Sequence, residues 1–305
     1  MVDKLLPSWN NTPTRQTLLD FIDRVTSRTG PEYVHPRDRV VTFDNDGTLW
    51  CEKPAYPQFV FAMQRLKRLA ADNPALTKEL AYEAAVENNL DYFESLYPDN
   101  LPALMKIVFD THAGMSQTEF ERLAREFLSD TNHPRFGLPY EQCIYQPMVE
   151  FIQLLQANNF KVFIATAGGM SFVRTISEEI YGVARENVIG SSIAFEIGRE
   201  NDQLFLQRKP GLIEPLDEGQ GKPINIELHV GRPPMLAAGN SNGDIEMLEF
   251  AESSGSLFLN MLLHHDDAER EYAYDEGAER ALQLADDRGW TVVSMKEDFS
   301  KVFDF

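Results

Sequence analysis

Cysteine is scarce in this chain: it holds 2 in 305 residues, Cys51 and Cys143, far apart and without the close spacing of a zinc site. That excludes a disulfide framework and a cysteine-built metal centre, and it suits a reducing compartment with both thiols buried or idle. Long apolar runs are also missing. The longest, at 162–167 and 257–263, are far too short to span a bilayer. The opening M-V-D-K-L-L-P-S-W-N has no apolar stretch followed by a small-residue cleavage site, so the expectation is a cytoplasmic protein, or a periplasmic one if a leader was trimmed. Positive charge is in deficit, with 28 Lys and Arg against 48 Asp and Glu, a formal net charge of −20. Such a surface repels polyanions and argues against nucleic acid and membranes as partners. It leaves room for a small anion, because a divalent cation and a few local lysines reverse the field inside one cleft. Internal repeats and low-complexity tracts are absent.

What is present is a globular composition, 43% hydrophobic, enough for one large or two modest domains. Thr12 before Pro13 reads as a helix cap with proline in the first turn, followed by Leu18, Leu19, Ile22 and Val25 at helical spacing and a stop at Gly30-Pro31. Residues 39–50, R-V-V-T-F-D-N-D-G-T-L-W, read as a buried strand ending in an acidic loop. From 59 to 128 the pattern is helical throughout, with loops at Tyr97-Pro98 and 133–139. Helix and strand then alternate: a helix through Met148 and Leu155, a strand at 161–166, a helix from Phe172 through Ile180 and a strand at 188–193. A polar hairpin and loop fill 196–221, followed by a helix at 223–230 and a strand at 235–239. A helix through Ile245 and Leu248, strands at 256–260 and 291–295 and a helix at 278–285 complete the pattern. Alternation of this kind predicts an α/β fold with a parallel sheet covered on both faces.

Three strand ends carry unusual chemistry. In an extended chain Asp44 and Asp46 point to one side and Asn45 to the other, and such a carboxylate pair offers a nucleophile, an acid/base and a metal site. Thr166-Ala167-Gly168-Gly169 offers a hydroxyl and backbone N–H groups at a helix start, suited to phosphate. Asn240-Ser241-Asn242-Gly243-Asp244 offers oxygen ligands suited to magnesium, and Lys222 upstream offers a fixed positive charge. Each alone has a plainer reading: Asp-Gly as a hairpin turn, the glycines as a connection, the last loop as a helix cap. Their order along the chain, each after a strand, places all three at one crevice. His264-His265-Asp266-Asp267 lacks the spacing of a helical zinc site and reads as surface or a structural bond, while Arg65, Lys67 and Arg68 read as a solvated helix face. His112 and His133 read as packed or exposed side chains near loops of the helical segment.

V-V-T-F-D-N-D-G-T-L-W, I-A-T-A-G-G and G-N-S-N-G-D-I-E-M-L resemble the first, second and fourth motifs of the haloacid dehalogenase superfamily, in its phosphoserine-phosphatase-like branch. The resemblance covers 39–248 and implies a Rossmann-like core, 1–52 with 140–305, and a smaller all-helical cap at 53–139 that closes over the crevice. It implies a phosphatase that hydrolyses a small phosphomonoester through an aspartyl phosphate with Mg²⁺. Asp44 is then the nucleophile and Asp46 the acid/base. Thr166, Ala167, Gly168 and Lys222 are the phosphate contacts, and Asp44, Asp46, Asn240 and Asp244 the metal site. Two departures stand out. Asn240 takes a place where the family often has an acid, and Lys209 competes with the preferred Lys222 as the lysine of the third motif. Asp46 favours phosphoryl chemistry, since dehalogenases of the superfamily lack it. A phosphotransferase or mutase, or a non-catalytic Mg²⁺-dependent phosphate-binding module, uses the same residues. Nothing in the sequence identifies the leaving group or the oligomeric state.

Overall fold

A computed structural model describes residues 6–94, 101–255 and 257–305. The chain divides into two compact units, one of Met1–Cys51, Asn132–Ser191 and Pro215–Phe305, the other of Glu52–Thr131 and Ser192–Glu214. The strands are β1 (Val40–Phe43), β2 (Lys161–Gly169), β3 (Val188–Glu200), β4 (Gln203–Ile213), β5 (Leu236–Gly239), β6 (Leu259–Asp266), β7 (Ala273–Tyr274) and β8 (Thr291–Ser294).

In the first unit β1 lies between β2 and β5, β2 pairs with the start of β3, and β6 joins β5 to β8, all parallel. Only β7 runs antiparallel, at the far end of β6. All four residues of β1 are buried, as a central parallel strand covered on both faces requires. The chain moves outward through β2 and β3, then returns to the other side of β1 with β5, so the strand order reverses there. Open sheets bind ligands beyond the carboxyl ends of the strands at such a reversal. Phe43 pairs with Ile164 and Ala238, so Asp44 begins where the strand ends, between Ala165 and Gly239. The helices Pro13–Thr26, Gln146–Ala157, Gly221–Val230, Ile245–Glu252 and Glu279–Arg288 flank the sheet, with Ile189, Ile226, Ile245, Leu248 and Leu262 buried in the core. The first is capped by the Thr12 hydroxyl and ends at Thr26, before Gly30.

Three local expectations change. The strand placed at 256–260 lies at Leu259–Asp266, because the M-L-L-H-H run is buried in register with β5 and carries the strand through His265; Ser256 is outside the described residues. The helix expected from Phe172 through Ile180 is broken into a turn at Met170–Val173 and a π-turn at Ser177–Tyr181. Thr175 donates its hydroxyl to the Phe172 carbonyl at 2.7 Å, competing with the helical ladder, and Gly182 at φ +68° ends the segment. β2 also runs on to Gly169 through a bulge after Thr166, so Ala167-Gly168-Gly169 is strand rather than free loop.

The second unit packs helices Pro57–Asp72, Leu80–Glu87, Leu90–Glu94, Leu101–His112 and Gln117–Asp130 around Phe59, Met63, Leu66, Tyr82 and Ile107. The loop expected at Tyr97-Pro98 lies outside the described residues. The unit also takes in the antiparallel β3–β4 hairpin, turned at Asn201 and Asp202 with φ of 48° and 64°, the left-handed pair of a type I′ turn. Arg208 stitches the hairpin to the helices. Its N–H donates to Met115 O at 2.9 Å, its side chain donates to His112 O at 3.1 Å and Gln117 Oε1 at 2.7 Å, and its guanidinium stands 3.6 Å from the Phe120 ring centre. Among the described residues no helix is long and apolar enough to cross a membrane.

Candidate active site

Asp44 is anchored by its own N–H, which donates to Ala238 O at 2.8 Å, and its carboxylate is buried. Lys222, in the first turn of Gly221–Val230, reaches it from the side. The buried ammonium donates to Asp44 Oδ1 at 2.5 Å, Asp244 Oδ1 at 2.7 Å and Ala165 O at 2.9 Å. An ammonium has three protons, and these three oxygens take them all. Lys209 lies in the second unit, half-exposed and 3.3 Å from Glu196.

Asp244 is equally committed. Its Oδ2 accepts the N–H groups of Asn240 at 2.9 Å and Ser241 at 3.0 Å and the Ser241 hydroxyl at 3.2 Å, completing a capping box. Gly239 makes this possible, since a Cβ there would overlap the Asp244 side chain. Asn240 Oδ1 accepts the Thr48 hydroxyl at 3.2 Å, which ties the fourth loop to the first. Asp46 is half-buried; its Oδ1 accepts Trp50 Nε1–H at 2.8 Å, and the Thr166 hydroxyl lies 3.4 Å from its Oδ2. The Thr166 Oγ1 accepts the Gly168 N–H at 3.0 Å, so that N–H is turned inward, and Ala167 O accepts the Ser191 hydroxyl at 2.7 Å. The structure therefore brings Asp44, Lys222 and Asp244 into direct contact, joins Asp46 to Thr166, and links Asn240 through Thr48. Ala167 and Gly168 are occupied by local bonds.

The electrostatics follow from burial. Burial pushes the Asp44 carboxyl well up, Asp244 adds repulsion, and Lys222 opposes both. Burial pulls Lys222 down, but Asp244 and Asp44 more than offset it, and the ammonium is held charged. One cation thus faces two buried carboxylates, with Asp46 beside them. An all-oxygen donor set of Asp44, the Asp46 backbone carbonyl and Asn240 Oδ1, crowded with carboxyl groups, suits a hard divalent cation that keeps waters in its shell and would favour the ionised form of Asp44. Asp244 would have to surrender bonds to join it. Among the described residues no three His, Cys, Asp or Glu side chains form a ready cage.

Two further groups lie beside these residues, and only the second had a signal in the sequence. Asp217 is fully buried, accepts Asn225 Nδ2–H at 2.9 Å, and is pushed by burial up to about 6 against the pull of Lys222. It sits in the 196–221 stretch, which reads only as polar hairpin and loop. His265 is buried with its Nε2 2.8 Å from Gly47 O, in the loop that carries Asp44 and Asp46. Its neighbour His264 instead faces outward to Asp275 at 2.7 Å. Strand alternation of the H-H pair is the signal that separates them. Neither cysteine forms a disulfide and both are buried, Cys51 against Glu271 at 3.0 Å. His112 is buried among Phe61 and Phe120, and Arg65 donates to Thr111 O at 2.9 Å.

The model of the haloacid dehalogenase-like hydrolase family matches residues 41–249. No curated protein matches the chain. Among solved structures, the chain is similar to a conserved functionally unknown protein from Anaerococcus prevotii DSM 20548, at 12% identity and TM-score 0.58 over 94% of this chain and 93% of that one. It is also similar to a protein of unknown function from Bordetella pertussis Tohama I, at 17% identity and TM-score 0.55 over 84% of this chain and 97% of that one. A phosphoserine phosphohydrolase-like protein from Francisella tularensis subsp. tularensis SCHU S4 aligns at 14% identity and TM-score 0.44, over 81% and 92% of the two chains.

Proposed function

The chain belongs to the haloacid dehalogenase-like hydrolase family, and from that premise we propose that it hydrolyses a small phosphomonoester through an aspartyl phosphate on Asp44. The observation that carries this reading is the buried contact of Lys222 with Asp44 at 2.5 Å, two residues before the half-buried Asp46. A phosphoryl group needs a carboxylate held ionised and aimed, and a second group to carry a proton.

Asp44 attacks phosphorus in line as the substrate oxygen departs with a proton from Asp46. Asp46 then takes a proton from the water that hydrolyses the acyl phosphate, and inorganic phosphate leaves. Lys222 offsets the charge of the two buried aspartates throughout, and the Thr166 hydroxyl, beside Asp46, is the contact for a phosphoryl oxygen. Bound Mg²⁺ supplies charge neutralisation between nucleophile and phosphate; Asp44, the Asp46 backbone carbonyl and Asn240 would hold it, with Asp244 behind them. The second unit enters the chain directly after this loop, at residue 52, and we assign selection of the leaving group to it, as the family's cap.

The test is turnover of an aryl phosphate with Mg²⁺ by the purified protein and its loss in Asp44→Asn. A second reading, a Mg²⁺-dependent phosphate-binding module, is favoured by the uncharged Asn240 and the engaged Asp244. It predicts metal-dependent phosphate binding with no turnover. A phosphotransferase differs from the hydrolase only in the acceptor, and added alcohols accelerating phosphoryl release would identify it.

A further inference from the structure

At the Gly47 carbonyl of the acidic loop begins a set of buried hydrogen bonds that the reaction scheme does not use. His265, at the end of β6, presents Nε2 to Gly47 O at 2.8 Å and Nδ1 to Glu271 Oε2 at 3.2 Å. A carbonyl has no proton to give, so Nε2 must carry one. Glu271 Oε2 already accepts the Tyr272 N–H at 2.6 Å, and Oε1 accepts the Cys51 thiol at 3.0 Å and the Tyr145 hydroxyl at 3.2 Å. The Tyr274 ring stacks on His265 at 4.4 Å. Burial pushes Glu271 up, but His265, Cys51 and the Tyr272 N–H outweigh it and hold the carboxyl below its usual range. Both residues are fully or nearly fully buried.

Burying a polar pair such as His265 and Glu271 costs desolvation that an apolar pair would avoid, and the bonds it makes are what offset that cost. Gly47 has φ +74°, its N–H donates to Trp50 O at 2.9 Å, and its carbonyl is held by His265. Gly47, the residue after Asp46, is therefore fixed at both its N–H and its carbonyl. The Asp46 carboxylate accepts the Trp50 indole N–H at 2.8 Å, and the Thr166 hydroxyl lies 3.4 Å from it.

We propose that His265, held against Glu271, is a positioning residue that fixes the Gly47 carbonyl and through it aims Asp46 as proton carrier. This rests on the phosphatase reading, and it makes a demand that a merely structural bond does not. A nitrophenolate leaves without a proton, whereas an alkoxide needs one, so loss of aim must cost more on an alkyl phosphate than on a nitrophenyl phosphate.

The experiment compares His265→Leu, His265→Gln and Glu271→Gln with wild type on both substrates with Mg²⁺, alongside thermal melting. In His265→Leu we expect kcat on the alkyl phosphate to fall about 100-fold or more and on the nitrophenyl phosphate less than about 10-fold, with KM little changed. His265→Gln, whose amide can donate to Gly47 O, should recover most of the alkyl phosphate rate. Equal losses on the two substrates that follow the melting temperature, or no loss on either, would overturn the proposal. Wild-type protein that turns over neither substrate sinks the phosphatase reading instead. Imidazole ¹⁵N shifts of His265 in the unmodified protein provide an independent check. A proton on Nε2 is expected, and an Nε2 without one would overturn the proposal whatever the activity.

Discussion

Lys222 and Lys209 carry the same charge and each meets carboxylate, yet they do different things. Lys222 is buried in the first unit between Asp44 and Asp244, while Lys209 lies half-exposed on the hairpin of the second unit beside Glu196. In water an ion pair gains little, because solvent screens it and two long side chains must be ordered. Beneath the strand ends the attraction is strong, the desolvation cost is large, and removing one partner strands the others. The second unit has a buried cation of its own in Arg208, but its partners are the neutral oxygens of His112 and Gln117 and the Phe120 ring. Burial lowers that guanidinium to about 10. A cation among neutral acceptors braces a hairpin, whereas a cation between carboxylates at a sheet reversal sets up chemistry.

The contrast can be broken or sharpened by substitution. The largest effect is expected from Asp44→Asn, which should lower turnover on the order of 10⁴-fold or more while the fold survives, as read by steady-state kinetics and circular dichroism. Lys222→Met leaves two carboxylates without their cation and should cost about 3–5 kcal/mol of stability, seen in urea midpoints, and most of the activity. A melting curve indistinguishable from wild type would show that the buried cluster is not what it looks like.

Asp217 gives a pH signature. Its carboxyl titrates at about 6 in the fold, above the ordinary aspartate value of 3.8, so the folded state binds the proton more tightly than the unfolded chain. Stability from this group is therefore present at low pH and declines as pH rises from about 4 to about 6. Asp217→Asn should remove that decline, gaining up to about 3 kcal/mol over wild type above pH ~6 and little below pH ~4, checked by unfolding across pH. Smallest of all, Lys209→Met should change stability by less than about 1 kcal/mol and leave turnover untouched. A loss of activity there would erase the distinction between the two lysines.

Much of this molecule was written in local pattern. The β-branched V-V-T-F run, the two-residue spacing of Asp44 and Asp46, the Thr12 cap and the alternation of strand and helix all follow from the chain's own stereochemistry, which acts over a few residues. They sufficed for a parallel α/β core and for three loops at its strand ends. What differed was also local in cause: a Thr175 hydroxyl that competes with a helix, and a bulge that carries β2 on to Gly169.

The tertiary structure alone decided which charges meet. That Lys222 rather than Lys209 touches Asp44, that Asp244 spends its oxygens on a cap and an ammonium, that Asp217 is buried, and that His265 reaches the Gly47 carbonyl are facts about residues far apart in sequence. So is the attachment of the hairpin to the helices through Arg208. Propensity and periodicity carry no information about such pairs, because their energies depend on desolvation and approach distance, and both exist only once the chain has packed.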